Sequence, residues 1–161
     1  LSESASPAAP VDDGHNHAPS PAGGAGGVAL GLQGSTGKYR LTGSPIDRPG
    51  AKTSQRVIDF VNQVSNYYGG NIQAGTGTQH NKYSTSGNVS HHWAGNALDL
   101  PASGSALIRM GRAALRAAGY KNWQNAAGGL YNLSGHQIIF GVNKGAASGG
   151  NHNDHLHVGL R

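Results

Sequence analysis

The opening 37 residues limit the fold most, because they offer almost nothing to bury. They are rich in Ala, Pro, Gly and Ser, with Gly23-Gly24-Ala25-Gly26-Gly27 near the middle. Such a stretch cannot offset its own ordering entropy with apolar burial and reads as a flexible linker or tail. His15 and His17 fall inside it and read as solvated. Any core must come from residues 38–161, enough for one domain and too few for two.

Within that domain the hydrophobic period selects the elements. Val57, Val61, Val64 and Tyr68 recur at helical spacing, and Gly69-Gly70 supplies a stop, predicting a helix over Thr53–Tyr68. Leu107, Met110, Ala114 and Leu115 mark one side of a second helix, Ser105–Ala118. Arg109, Arg112 and Arg116 line its other side and read as a solvated face. Period-two patterns predict strands at Ala97–Leu100, His136–Val142 and His155–Leu160. Ala74–Gly95 is polar and irregular, and Tyr120–Leu133 reads as loop. The expected class is α+β, a small and mostly antiparallel sheet with helices.

Charge is uneven. All twelve Lys and Arg lie between Lys38 and Arg161, against Asp47, Asp59, Asp99 and Asp154. An excess of about eight positive charges suits an anionic partner: nucleic acid, an acidic membrane surface, or a wall polymer bearing phosphate or carboxylate. No apolar run is long enough to span a bilayer. The first residues show no charged and apolar signal-peptide pattern. Cysteine is absent, so there is no disulfide framework, thiolate site or cysteine nucleophile, and any metal must be held by imidazole and carboxylate.

Those ligand types cluster. Seven of nine histidines follow residue 79, and five occupy two short segments, Ser90–Leu100 and Asn151–Gly159. On a strand, His155 and His157 share one face while Leu156 and Val158 face the core, so the pair can serve as ligand and neighbour. Asp99 alternates in the same way with Leu98 and Leu100. A histidine of the first segment, Asp99 and a histidine of the second make a three-ligand set of nitrogen and oxygen. The fourth position is then left to water, as in catalytic zinc sites. Such a site also needs a carboxylate to accept the water proton. Residues 38–161 contain no Glu. Asp59 lies in a helix and Asp47 in a Pro-rich loop, so Asp154, three residues before His157, is the base by elimination. His80, His91, His136 and His152 read as surface or hydrogen-bonded histidines, and His152 adjoins the site.

Ser90-x-His92-x-x-Gly95-x-Ala97-x-Asp99 followed by Asp154-His155-x-His157 resembles the D-alanyl-D-alanine carboxypeptidase family of zinc peptidases, grouped in fold with lysostaphin-type enzymes and the hedgehog signalling domain. The resemblance covers roughly Thr53 to Arg161. It implies zinc on His92, Asp99 and His157 at the open face of the sheet, Asp154 as base, and His155 as an oxyanion-stabilising partner. More narrowly, Gly87-Asn88-Val89-Ser90-x-His92-Trp93 and Gly149-Gly150-Asn151-His152 look like peptidase domains of actinobacterial phage tail tape-measure proteins. The implied setting is a cell wall or a virion tail, and the implied substrate is peptidoglycan peptide. One departure stands out. Many members carry an arginine upstream of the first zinc histidine, whereas this chain has Gly75-Thr76-Gly77-Thr78-Gln79 and no arginine between Arg56 and Arg109. A free carboxy-terminus is then poorly held. Gln79 or His155 would have to serve the oxyanion, and endopeptidase is favoured over carboxypeptidase. Two rivals come from other classes: a zinc-stabilised wall-binding module without catalysis, and a metal nuclease. Neither histidine cluster contains the cation a nuclease would use, so nucleic acid is not the expected partner.

Overall fold

The computed structural model describes residues 37–84, 86–142 and 151–161. The tail and its His15 and His17, along with Gly149-Gly150, lie outside the described residues.

Two helices pack on one face of a four-stranded antiparallel sheet. Helix α1 spans Gln55–Tyr68. Ser54 caps its start by accepting from the Val57 N–H, and Gly69, at φ 82°, closes its end on the Ser65 carbonyl. Helix α2 spans Gly104–Ala117 and stops where Gly119 turns left-handed and the Tyr120 N–H reaches back to the Leu115 carbonyl, 2.9 Å away. Both helices begin and end within about two residues of the periodic pattern, because caps and glycines rather than hydrophobic period set the ends.

A two-residue parallel pair, β1 (Leu41–Thr42) and β2 (Ile72–Gln73), stands apart from the main sheet. The main strands are β3 (Ala97–Pro101), β4 (Gly129–Leu133), β5 (His136–Phe140) and β6 (His155–Leu160), in the order β3-β6-β5-β4. Two sequence expectations need correcting. The stretch read as loop, Tyr120–Leu133, contains a three-residue 3-10 turn at Trp123–Asn125 and the edge strand β4. Strand β5 ends at Phe140 rather than Val142, since Gly141 has φ 68° and leaves the ladder.

Alternation sorts the sheet into two chemistries. Leu98, Leu100, Ile138, Phe140, Leu156, Val158 and Leu160 join Val57, Phe60, Val61, Leu107, Met110 and Leu115 of the helices in one core. The intervening residues, including Asp99, Gln137, His155 and His157, fall on the opposite face and are nonetheless buried. No helix of the described residues is long and apolar enough to cross a membrane.

Candidate metal centre

Strands β3 and β6 pair in a register that sets Asp99 directly opposite His157. Each strand sends its leucines or valine into the core, so the two polar side chains are forced together on the other face. The third component comes from the loop before β3. The Ser90 hydroxyl accepts from the His92 N–H at 3.1 Å, and the Gly95 N–H bonds the His92 carbonyl at 2.9 Å. Gly95 has φ 84°, and a Cβ there would lie 2.6 Å from the Lys52 carbonyl oxygen. The Gly95 carbonyl in turn accepts from the Ser54 N–H at 2.8 Å, at the start of α1. The loop is thereby fastened to the helix, and His92 is turned inward.

His92 Nε2, His157 Nδ1 and Asp99 Oδ1 form a triangle whose three edges are each 3.2 Å. All three residues are buried. A tetrahedral ion about 2.0–2.1 Å from each ligand would hold the ligand atoms about 3.3–3.4 Å apart, so the triangle has the size a metal requires.

Proton positions agree with that reading. His92 Nδ1 lies 3.0 Å from the Gly77 carbonyl, which can only accept, so Nδ1 carries the proton and Nε2 presents a lone pair to the triangle. The proton on His157 is set from the sheet edge. The Arg161 guanidinium donates to Asn132 at 2.6 Å and has no acceptor, which makes the contacted Asn132 atom its oxygen. Gln137 then donates its NH2 to that oxygen at 3.1 Å, leaving Gln137 Oε1 to accept from His157 Nε2 at 3.1 Å. His157 Nδ1 is thus a lone pair as well. Two imidazole lone pairs and a carboxylate oxygen converging in a buried place could hold a divalent cation. The three are the group of the described residues able to hold a metal ion.

The other expected residues take adjacent places. His155 lies outside the triangle: its Nδ1 donates to Asp154 Oδ1 at 2.6 Å, and its Nε2 stands 3.8 Å from Asp99 Oδ1. The Asp154 side chain is 33% exposed, so it meets solvent while its neighbour is buried. Gln79 is exposed, tied through its N–H to the Ile46 carbonyl at 3.1 Å. Its neighbour His80 makes the contact instead, stacking on His92 with ring centroids 4.3 Å apart. His152 is buried and packs on His155 and His157, at 4.6 and 5.9 Å between ring centroids.

His152 is therefore a buried part of the centre's wall, while His80 is half-buried and hydrogen-bonded as expected, with its ring also walling His92. Proximity in sequence hinted at His152. Nothing in the sequence pointed to His80. His91 stays peripheral and half-buried; burial, then Arg161 and His92, lower its pKa. His136 sits on the helix side against Phe60, 4.7 Å between rings.

The glycine-rich stretch where an arginine was sought has a different task here. Gly75 bonds the Asp99 carbonyl through its N–H at 2.9 Å, and a Cβ would lie 2.6 Å from that oxygen. Asp47 anchors the same stretch. Burial alone would raise its pKa, but hydrogen bonds from the N–H and hydroxyl groups of Thr78 and Thr53 prevail and hold it below the usual value. Arg48, from further upstream than expected, stacks on Trp93 at 3.5 Å and donates to the carbonyls of Thr78 and Trp93 at 3.1 and 2.9 Å. It clamps the loops either side of His92 together.

Comparison with models of known protein families, with curated proteins and with solved structures returns no match.

Proposed function

We propose that the chain is a zinc-dependent peptidase of the D-alanyl-D-alanine carboxypeptidase and hedgehog-type fold group, cutting an amide of peptidoglycan peptide at a cell wall, as a virion-tail module would. The observation that carries this reading is the triangle of His92, Asp99 and His157 with both lone pairs turned inward. Three nitrogen and oxygen ligands without cysteine suit zinc, and three rather than four suit catalysis.

Zinc held there would lower the pKa of water to about 7 and polarise the scissile carbonyl. The protein supplies the rest. Asp154, partly open to solvent, takes the proton of the attacking water and returns it to the leaving amine. His155 is held by Asp154 through Nδ1 and directs Nε2 toward the centre, where the ring, once protonated on both nitrogens, would donate to the developing oxyanion. Retention of a solvent-reaching carboxylate beside the ligands favours this over a binding module, which needs no base. The clamping of Arg48 by two carbonyls and a ring leaves endopeptidase favoured over an enzyme that grips a free carboxy-terminus.

The test is peptide release from purified cell walls, with mass spectrometry identifying the new termini. Release is expected to stop with chelator, return with zinc, and fall about 100-fold or more in Asp154→Ala. Undiminished release by that variant removes Asp154 from the mechanism, and release insensitive to chelator ends the proposal.

A further inference from the structure

On the helix side of the molecule lies a groove of about 400 Å³ between α1, α2 and the 3-10 turn, lined by Tyr67, Tyr68, Arg109, Arg112, Arg116 and Trp123 among others. The sheet and core separate it from the metal centre, which occupies the opposite sheet face. Its three arginines are not loose surface chains. Arg116 lies over two rings, 4.3 Å from the Tyr67 centroid and 4.7 Å from that of Trp123. Arg109 covers Tyr68 at 4.8 Å and reaches its hydroxyl at 3.5 Å. Arg112 donates Nε to the Ala126 carbonyl at 2.9 Å.

Among the described residues, no carboxylate side chain answers the charge in this groove. Residues 37–161 hold four. Asp47 is bound by Thr53 and Thr78, Asp59 by Gln55, Asp99 lies in the metal centre, and Asp154 holds His155. A guanidinium stacked on a ring keeps its in-plane N–H edge for an anion, and has surrendered much of its rotamer entropy beforehand. Positions 109, 112 and 116 climb α2 by about 4.5 and 6 Å, given a rise of 1.5 Å per residue. That spacing offers successive donors to successive anionic groups along one chain.

We propose that this groove binds a linear phosphodiester polymer with small polyol linkers, the anionic kind of wall polymer, and so holds the enzyme on its substrate. The choice of polymer rests on the peptidase reading; the anion-binding chemistry does not. Single-stranded nucleic acid fits less well, because it binds by stacking bases on open aromatic faces, and here the guanidiniums already cover the rings.

The probe is fluorescently labelled oligo(glycerol phosphate), titrated with the full chain and followed by polarisation at low and moderate salt. Saturable binding that weakens with salt is expected. It should fall about tenfold for each of Arg109→Gln and Arg116→Gln, both exposed and outside the core. Arg40→Gln and Lys52→Gln, exposed cations elsewhere, should change it less than twofold. Absence of binding, equal losses in groove and control variants, or tighter binding of oligo(dT) with quenching of Trp123 would each overturn the assignment. Because the readout is binding, failed peptide release with intact binding would sink the peptidase reading alone, and the reverse result this proposal alone.

Discussion

At the scale of single residues, the centre depends on where protons sit. Gln137 is 4% exposed and is the acceptor that keeps the proton on His157 Nε2. Replacing it by Leu keeps the bulk and removes the acceptor, so the imidazole loses its tautomeric preference and its fixed orientation. Loss of a ligand's supporting hydrogen bond typically costs 10–100-fold in metal affinity. Gln137→Leu is expected to weaken zinc by about that factor in competition with a chromophoric chelator. Equal affinity of the Leu variant and the parent would show that packing alone fixes His157. A second residue gives a pH dependence without the metal. Burial lowers the pKa of His136, with Arg56 adding to the effect and the Ser134 carbonyl opposing it. The folded state therefore binds protons less readily than the unfolded chain, and stability is present above the ordinary imidazole value of 6.5 and lost as pH falls below it. In chelator, thermal stability should decline from pH 7.5 to 5, and His136→Gln should flatten part of that decline. A variant with an unchanged profile would remove His136 as a contributor.

At the scale of elements, the sheet decides which side chains meet. Asp99 and His157 are 58 residues apart in sequence and opposite in register. That meeting was legible because both strands carry unbroken alternation, Leu98-Asp99-Leu100 and Leu156-His157-Val158, and a slip by one residue would bury charge in the core. Strand β4 was not legible. Gly129-Leu130-Tyr131-Asn132-Leu133 has Gly at one end and buried Leu130 and Tyr131 on opposite faces, so pairing with β5, not its own pattern, makes it a strand. The stacking of His80 on His92 depends on the path of a loop, which has no period to read. Helix α2 offers an element-level test at Gly111. Glycine in a helix interior costs about 1 kcal/mol relative to alanine, so propensity alone predicts that Gly111→Ala stabilises. A Cβ at this position, however, would lie only 2.4 Å from ring atoms of Phe140, which is fully buried. Overpacking typically costs about 1–3 kcal/mol, so the contact should outweigh the propensity and the variant should be less stable in urea. A stabilised variant would mean that α2 can slide over β5 at little cost.

At the scale of the whole molecule, an ion held by His92, Asp99 and His157 would tie the loop of His92, fastened to α1 through Gly95 and Ser54, to the paired strands β3 and β6. An ion that binds the folded arrangement and not the unfolded chain stabilises by about 2.7 kcal/mol at a hundredfold excess over its dissociation constant. For a chain of this size that corresponds to a rise in Tm on the order of 5–10 °C. Zinc is expected to raise the Tm of the chelator-stripped protein by that amount and to leave His92→Ala, each variant compared with its own apo form, nearly unmoved. Thermal stability reads metal binding apart from catalysis, which an activity assay cannot do. If zinc failed to stabilise the parent, the 3.2 Å triangle would be a hydrogen-bonded cluster and no metal centre. If it stabilised Asp154→Ala as much as the parent while peptide release was lost, binding and catalysis would be assigned to different side chains, a division that would match the exposure of Asp154 beside three buried candidate ligands.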